Sequence, residues 1–313
     1  MAAWGSAARE ASLSLFLRSV GNRTLRQRKS SAGGSPVKIP GTKPTGERVG
    51  DHPLPLDPLA GDGGRETEKG EDMKVLVACE ESQAVCIAFR ELGHEAYSCD
   101  IQDCSGGHPE WHIKGDVLPL LNGSCTFRTA DAHTHTQSGP WDLLIAHPPC
   151  TYLTSAGAVR LFGSDHRIKD KSREHKGWEA RRFFMMCLSS NAKRIAVENP
   201  APLRYWQLPP YTQIIEPYQF GDPWKKRTGL WLSGLPKLEP TDIVEPKGCW
   251  TIMHGGSSCR VKLICEGGAR TAKERAKTFP GIARAMAAQW GGNDLDVDEL
   301  RFAGGQYTME GWR

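Results

Sequence analysis

The feature that most constrains this chain is a short apolar run that stops abruptly at two prolines and a cysteine. The run is Trp141-Asp142-Leu143-Leu144-Ile145-Ala146-His147-Pro148-Pro149-Cys150. Its centre lacks polar alternation, which is typical of a central parallel strand that is covered on both faces. Proline cannot donate a backbone hydrogen bond, so the strand has to end at Pro148. The pattern places Cys150 at the carboxyl end of a central strand, where open α/β sheets bind their ligands.

Cysteine also packs well as a small apolar residue, and the position of Cys150 alone leaves that alternative open. The chain has ten cysteines, which are scattered through apparent core segments and form no compact framework. Such scattering is typical of a protein from a reducing compartment.

A β-α-β unit precedes this run. Val75–Cys79 is an apolar strand, a turn with N-cap chemistry at Ser82 follows, and Gln83–Leu92 shows one apolar face of a helix. A second strand then ends at Asp100, about 20 residues after the turn. Nucleotide-binding β-α-β folds place a carboxylate there to accept hydrogen bonds from ribose hydroxyls. The turn has no glycine-rich fingerprint, which favours a cofactor with a ribose and no pyrophosphate.

Further polar residues follow predicted strands at the same edge. Asp116 offers a second acid near Asp100, although an aspartate at this place also caps turns. A strand over Lys193–Val197 is followed by Glu198-Asn199-Pro200. Cys150 and Glu198 are therefore expected at the ends of neighbouring strands, as a nucleophile and a carboxyl facing one cleft.

These motifs resemble those of a known enzyme family. Pro148-Pro149-Cys150, the following Thr154-Ser155-Ala156-Gly157 and Glu198-Asn199-Pro200 resemble the Pro-Cys and Glu-Asn motifs of the cytosine-5 DNA methyltransferases. The run from Met73 to Trp290 looks like the short methylase-like proteins of bacteriophages and prophages. The resemblance implies a Rossmann-like class I α/β methyltransferase fold with a mostly parallel central sheet and helices on both faces. It also implies S-adenosylmethionine as cofactor.

The resemblance assigns roles to the catalytic residues. It implies that the Cys150 thiolate adds to carbon 6 of cytosine, which makes carbon 5 nucleophilic toward a methyl donor. Glu198 would hold ring nitrogen 3 and the exocyclic amine. Lys225 and Arg227 occupy the places of two arginines in a Gln-x-Arg-x-Arg motif of the family. The implied partner is DNA, with the target base flipped from a duplex or taken from a single strand.

The resemblance also assigns roles to the predicted cofactor-binding residues. Asp100 matches the ribose acid, Asp116 matches the acid near the adenine amine, and Pro148 borders the cofactor. The family has a Phe-x-Gly-x-Gly turn where this chain has Cys79-Glu80-Glu81-Ser82, so the methionine end would be held differently. We expect three residues of that turn to bind the cofactor: Cys79, Glu80 and Ser82.

Composition divides the chain into three parts. Residues 1–72 are rich in Gly, Pro, Ser and charge and are predicted to be a disordered extension, either a transit peptide or a segment upstream of a true start at Met73. The methyltransferase-like domain is predicted over residues 73–292 with a small recognition insert at 234–275, and residues 293–313 form a tail. Cys249, His254, Cys259 and Cys265 lie in the insert, but their spacing is not that of a standard zinc site.

Charge and hydropathy limit the location and the partners. The net charge of +4 permits a nucleic-acid partner without arguing for one. No apolar run approaches the ~18 residues of a membrane span, so we expect a soluble protein with no membrane partner. A cytoplasmic location in a phage or bacterial host is expected, or import into an organelle if residues 1–30 are a transit peptide.

Two alternatives remain open at this stage. The methyl acceptor could be a free nucleotide, an RNA or an exocyclic amine, because the insert leaves little room for a target-recognition domain. Alternatively, the chain could be a catalytically inactive nucleic-acid-binding relative, because its first turn departs from the family pattern.

Overall fold

The computed structural model describes residues 72–250 and 271–292. The described residues all belong to one unit. Residues 1–71 of the predicted extension, residues 251–270 of the predicted insert and the tail lie outside the described residues. His254, Cys259 and Cys265 are among them.

Seven strands form one mixed sheet in the order β3-β2-β1-β6-β7-β10-β8. Strands β1, β2, β3, β6 and β7 are parallel, and β10 runs antiparallel to both β7 and β8. The bounds are β1 Lys74–Ala78, β2 Glu95–Asp100, β3 His112–Lys114, β6 Leu143–Ala146, β7 Arg194–Pro200, β8 Gln213–Ile215 and β10 Thr228–Ser233. Two small ladders lie outside this sheet: β4 Cys125–Arg128 with β5 Thr134–Gln137, and β9 Trp224–Lys225 with β11 Gly248–Cys249.

Helices cover both faces of the sheet. Their bounds are α1 Ala84–Glu91, α2 Ala158–Leu161, α3 Lys171–Leu188, α4 Ala272–Ala276 and α5 Pro280–Trp290. Alternate residues of the central strands divide between two apolar clusters: Val75 and Leu143 pack with α1 and α5, whereas Leu76 and Leu144 pack with α3. Successive side chains of a strand point to opposite faces, so a strand between two helical layers must be apolar throughout. The α/β class with a mostly parallel sheet is thus observed.

Most of the predicted strands are confirmed. Strand β2 spans Glu95–Asp100, and β6 spans Leu143–Ala146, as their apolar patterns predict. Strands β6 and β7 are parallel neighbours, with Ala146 opposite Val197. Strand β7 continues through Pro200 instead of ending at Val197, because β10 pairs with its last residues.

The charge of the stretch from Asp165 to Lys176 predicts a mobile surface loop, and the pattern after it predicts a helix from Trp178 to Ser189. The structure differs from this prediction. Helix α3 begins at Lys171, seven residues before the predicted start at Trp178. Asp170 caps this helix, and its Oδ1 accepts a hydrogen bond from the Arg173 backbone at 2.8 Å. An N-cap carboxylate stabilises a first helical turn that has no apolar stripe of its own.

The first turn also differs from its prediction. Ser82 does not cap α1, because the residue before the helix is Gln83, which has a left-handed φ of 59°. The N-terminal amides of the helix are bound instead by the buried Glu80 carboxylate, which accepts from Val85 at 2.7 Å and from Cys86 at 3.2 Å. The backbone of Cys79 also adopts a left-handed conformation, with φ 61°. The turn therefore reverses direction without the glycines that such backbone angles favour.

Residues 121–140 contain the β4–β5 hairpin. In the described part of the chain, no helix is both long enough and apolar enough to span a membrane.

Candidate active site

The Pro-Pro-Cys segment lies between two cavities at the carboxyl edge of the sheet. Pro149 lines the first cavity, and His147, two residues earlier, lines the second. Because the prolines extend the chain between them, neighbouring residues of one segment reach both spaces. A ligand in each cavity would therefore contact the same rigid segment.

The first cavity has a volume of about 280 Å³. Its walls come from the ends of β1 and β2, the turn after β3, the proline segment and α3. The lining residues are Cys79, Cys99, Asp100, Ile101, Gln102, Gly115, Asp116, Val117, Pro149 and Phe183. This volume is close to the lower end of ligand pockets, roughly 300 Å³. Two carboxylates on an otherwise largely apolar wall suit a ligand with hydroxyl or amine donors.

Both predicted acids lie in this cavity. Asp100 Oδ1 accepts a hydrogen bond from the Gln102 backbone at 2.9 Å. Asp116 Oδ1 accepts from the Leu118 backbone at 3.0 Å, so Asp116 caps a turn and also lines the cavity. Each carboxylate is thereby held in one orientation by its own loop.

The loop that carries Gln102 is anchored beneath the cavity. Buried His112 contacts the Gln102 carbonyl through Nε2 at 2.9 Å and the Ser98 hydroxyl through Nδ1 at 2.9 Å. Gln83 binds the backbone of His108 through both atoms of its amide, at 2.8 and 3.1 Å. These contacts explain how a loop outside regular secondary structure can form one wall of a cavity.

The second cavity is smaller and lies where β7, β10 and the start of α5 meet. Its lining residues are His147, Glu198, Ile215, Lys226, Thr228, Thr278, Phe279, Ile282 and Met286. His147 Nδ1 lies 3.5 Å from Glu198 Oε2, and the two side chains are only 9% and 19% exposed. Lys226 lies over the Phe279 ring, with Nζ 5.8 Å from the ring centroid. A carboxylate, an imidazole and an ammonium thus converge on one partly apolar pocket.

Glu198 is ionised at neutral pH in this setting. Burial by itself raises the pKa of this carboxyl, but the hydrogen bond and charge of His147, the charge of Lys226 and a hydrogen bond from Thr228 together lower it below the ordinary glutamate value. An ionised carboxylate that is held among donors is well placed to accept a hydrogen bond from a ligand.

Cys150 is half-buried and interacts electrostatically with the same groups. Burial raises the pKa of its thiol, Glu198 raises it further, and the positive charges of Lys226 and Arg275 oppose the rise. The net shift is upward, so Cys150 rests as a thiol at neutral pH. Forming the nucleophilic thiolate depends on the cations that face it.

Strand β7 fixes the position of the proline segment. The Asn199 amide donates to the Pro148 carbonyl at 3.4 Å, whereas the preceding side chain, Glu198, faces the second cavity. Beyond the cysteine, Ser155 donates to the Ala201 carbonyl at 3.1 Å. The two residues therefore face different groups: Glu198 lines the cavity, and Asn199 binds the proline segment that precedes Cys150.

The structure brings together only part of the predicted site. Cys79, Asp100 and Asp116 line the first cavity, and Glu198 lines the second beside Cys150. The remaining predicted residues line neither cavity: Cys150, Glu80, Ser82, Pro148, Lys225 and Arg227. Glu80 caps α1, and the cavity wall that was expected from Pro148 comes from Pro149.

Lys226 is the site residue that sequence reasoning missed. Lys225 and Arg227, which match the family spacing, are exposed, whereas Lys226 between them lines the second cavity. Side chains alternate between the two sides of an extended segment, so neighbouring positions cannot all face the same cavity. The apolar strand that follows, with its buried Thr228, carries the signal: Lys226 lies two residues before Thr228 and therefore shares its side.

We expect Lys226→Met to slow the alkylation of Cys150 by iodoacetamide several-fold at neutral pH. The Lys226 charge opposes the raised pKa of the thiol, so its removal raises that pKa further and leaves less thiolate. The rate-against-pH curve should move to higher pH. Lys225→Met is the matched control, because Lys225 is exposed, and its curve should stay in place. Equal effects of the two variants would contradict the assignment.

The fold and the site define an α/β protein with a strand-end cysteine and carboxylate beside a separate, acid-lined cavity. Among the described residues, no cluster of three or more His, Cys, Asp or Glu side chains could hold a metal ion.

Comparison with known proteins adds little to this description. No protein-family model matches the chain, and no curated protein matches it. Among solved structures, the chain is similar to a protein described as a DNA modification methyltransferase encoded within a prophage (E. coli), with 12% identity and a TM-score of 0.31. The match covers 56% of this chain and 54% of that one, so the chain spans about half the length of that protein. A likeness this low does not itself support a function.

Proposed function

We propose that this protein is an S-adenosylmethionine-dependent DNA methyltransferase that acts on carbon 5 of cytosine. The observation that carries the proposal is the placement of Cys150 beside Glu198 at the ends of adjacent parallel strands, next to a cavity lined by Asp100 and Asp116. Nucleophilic addition to a pyrimidine needs a thiolate and a hydrogen-bonding carboxyl at opposite sides of the ring. The site supplies the thiol of Cys150 and the carboxylate of Glu198, which interact electrostatically, and Glu198 lines the second cavity.

The sheet supports the proposal. Numbered by their order in the large sheet alone, its strands run 3-2-1-4-5-7-6, and the seventh is antiparallel to its neighbours. A mostly parallel central sheet with helices on both faces is what the resemblance implies. Open α/β sheets bind their ligands outside the carboxyl ends of the strands, and the first cavity lies at the ends of β1 and β2.

The first cavity fits the adenosine part of the proposed cofactor. Asp100 at the end of β2 would accept from the ribose hydroxyls, Asp116 would face the adenine amine, and Ile101 offers an apolar surface to the ring. When bound, S-adenosylmethionine supplies an electrophilic methyl group. Pro149 would lie between this cofactor and Cys150, so that the cofactor and the nucleophile would both be in the Pro-Pro-Cys segment or in contact with it.

The residues of the second cavity would act on the target base. Cys150 would form a bond to carbon 6, and the charge that develops in the ring would be met by Glu198 at the Watson-Crick edge. Lys226 would favour the thiolate before attack. A base inside a duplex cannot reach this pocket, so the substrate would be flipped out or single-stranded.

The direct test supplies isotope-labelled S-adenosylmethionine with duplex DNA, single-stranded DNA, RNA and deoxycytidine monophosphate in parallel. Nucleoside mass spectrometry should find labelled 5-methylcytosine in one of the DNA samples. Labelled 5-methylcytosine only in RNA or in the free nucleotide would identify a different methyl acceptor but retain the carbon-5 mechanism. Label on an exocyclic amine would reject the carbon-5 mechanism, and no label together with no cofactor binding would reject the enzyme.

We expect Asp100→Ala to weaken S-adenosylmethionine binding about tenfold. A hydrogen bond to a charged group contributes ~1.5 to 3 kcal/mol, and the cavity would lose one such acceptor. Asp103→Ala is the matched control, because the Asp103 side chain is 83% exposed and pairs with Lys114 away from the cavity lining. Calorimetric titration measures both variants. Unchanged affinity in Asp100→Ala would remove this residue from the cofactor site.

A further inference from the structure

A second buried carboxylate and a histidine lie behind the proposed catalytic carboxyl. His147 lies between the turn after β1 and the end of β7, and its backbone N–H donates to the Ala78 carbonyl at 2.9 Å. Its Nδ1 faces Glu198 at 3.5 Å. Its other ring nitrogen, Nε2, is buried and has no hydrogen-bond partner among the described residues. An imidazole with one unpaired buried nitrogen is costly as a packing residue, so a functional explanation is called for.

Glu80 is the second carboxylate. It is 3% exposed and fixed by the backbone amides of Val85 and Cys86. Burial raises the pKa of Glu80, and the nearby His147 is the strongest influence that opposes the rise. One imidazole thus interacts with two buried carboxylates that come from two different strand ends.

The chemistry proposed for Glu198 needs a proton that the resting residue does not hold. As a carboxylate, Glu198 can accept from the exocyclic amine of cytosine but cannot donate to ring nitrogen 3. When a thiolate adds to carbon 6, negative charge develops on the ring, and a donor at nitrogen 3 is then needed. Histidine is the side chain that most readily gives and takes a proton near neutral pH.

We propose that His147 is a positioning residue that supplies a proton to the acceptor base through Glu198. This inference rests on the proposed function. The Nδ1–H bond of the imidazolium breaks, and its electron pair stays on Nδ1 while Glu198 Oε2 takes the proton. The carboxyl passes a proton on to ring nitrogen 3, so one N–H bond is lost at His147 and one is gained at the base. Glu198 is a carboxylate before and after the transfer.

Other charged or titratable groups face this pair from each neighbouring element. Glu80 and Glu81 face it from the turn after β1, Cys150 from the proline segment, and Lys226 from the segment before β10. Thr228 adds a hydrogen bond to Glu198. The pH dependence of the reaction depends on all of these groups together. Each experiment therefore replaces only His147, so that any change can be attributed to this residue.

The first experiment compares His147→Gln with the wild type in single-turnover methyl transfer. Glutamine keeps a hydrogen-bond donor but cannot release a proton, so the rate should fall about 100-fold while DNA affinity stays unchanged. The dependence of the rate on pH should differ between the two proteins, because glutamine at this position carries no titratable proton. If His147→Gln had the same rate and the same pH profile as the wild type, the inference would be overturned while the proposed function stayed intact.

The second experiment needs no enzymatic activity. In His147→Phe, carbon-13 NMR of the Glu198 carboxyl should show a pKa higher than in the wild type, because the donor that lowers it is gone. His175→Phe, an exposed substitution on α3, is the control and should leave that carboxyl unchanged. An unmoved Glu198 titration would overturn the inference whatever the activity. A moved titration in a protein without methyl transfer would confirm the contact between His147 and Glu198 but reject the proposed function, and with it the proton transfer that rests on it.

Discussion

Replacement of Cys150 by alanine is expected to abolish transfer of a methyl group to carbon 5 of cytosine. Loss of an enzymatic nucleophile lowers turnover by about 10³-fold or more, because no other group can form the covalent bond to the base. The thiol is only half-buried, and alanine removes a single sulfur atom, so the thermal unfolding midpoint should change little. Tritium transfer from labelled S-adenosylmethionine to DNA measures the activity, and calorimetry measures whether the cofactor still binds.

Cys125→Ala is the matched control for this variant. Cys125 is also partly exposed, but it lies on strand β4 of the hairpin and lines neither cavity. Its methyl transfer should equal that of the wild type. Full activity in Cys150→Ala would exclude a covalent mechanism and favour an exocyclic amine as the acceptor. A covalent adduct with DNA that contains 5-fluorocytosine, present in the wild type and absent from Cys150→Ala, would identify the bond directly.

Gly281→Ala is expected to cause the largest loss of stability, about 3 kcal/mol in the free energy of unfolding. Gly281 lies in the first turn of α5, and a Cβ at this position would come within 1.8 Å of the Phe220 carbonyl oxygen. That oxygen belongs to the backbone and cannot rotate away. The helix would have to move, although Asp222 holds it through a 2.9 Å hydrogen bond from the Gly281 N–H.

Gly292→Ala is the control, two residues beyond the other end of the same helix. A Cβ at Gly292 would meet no atom within 4 Å, so stability should stay within ~0.5 kcal/mol of the wild type. Urea unfolding measures both variants. Equal stability of the two would show that α5 does not pack against the Phe220 backbone as described. Because Phe279 and Ile282 at this end of α5 line the second cavity, Gly281→Ala should also impair the site.

The sequence predicted the core of the fold because the strands of a sheet covered on both faces must be apolar throughout. Strand β6 and the β-α-β unit follow from such local patterns, and the end of β6 follows from the prolines after it. The neighbouring positions of Cys150 and Glu198 also follow, because parallel strands end at the same edge. Asp100 and Asp116 could be found for the same reason.

Other features depended on contacts between distant segments. The cap of α1 comes from Glu80 and not from Ser82, because a left-handed Gln83 carries the chain past the serine. The early start of α3 depends on Asp170, whose capping role a charged stretch does not reveal.

In the candidate site, too, some features follow from the local sequence and others only from contacts between distant segments. The sequence by itself determined which residue types stand at the strand ends, since strand ends and proline stops are local properties of the chain. Only the tertiary structure decided which cation lies near Cys150. Lys225, Lys226 and Arg227 are chemically similar, but they lie on different sides of the extended segment, and only Lys226 lines the second cavity. The same holds for His147, whose place between Glu80 and Glu198 arises from the approach of two strand ends that lie more than a hundred residues apart along the chain.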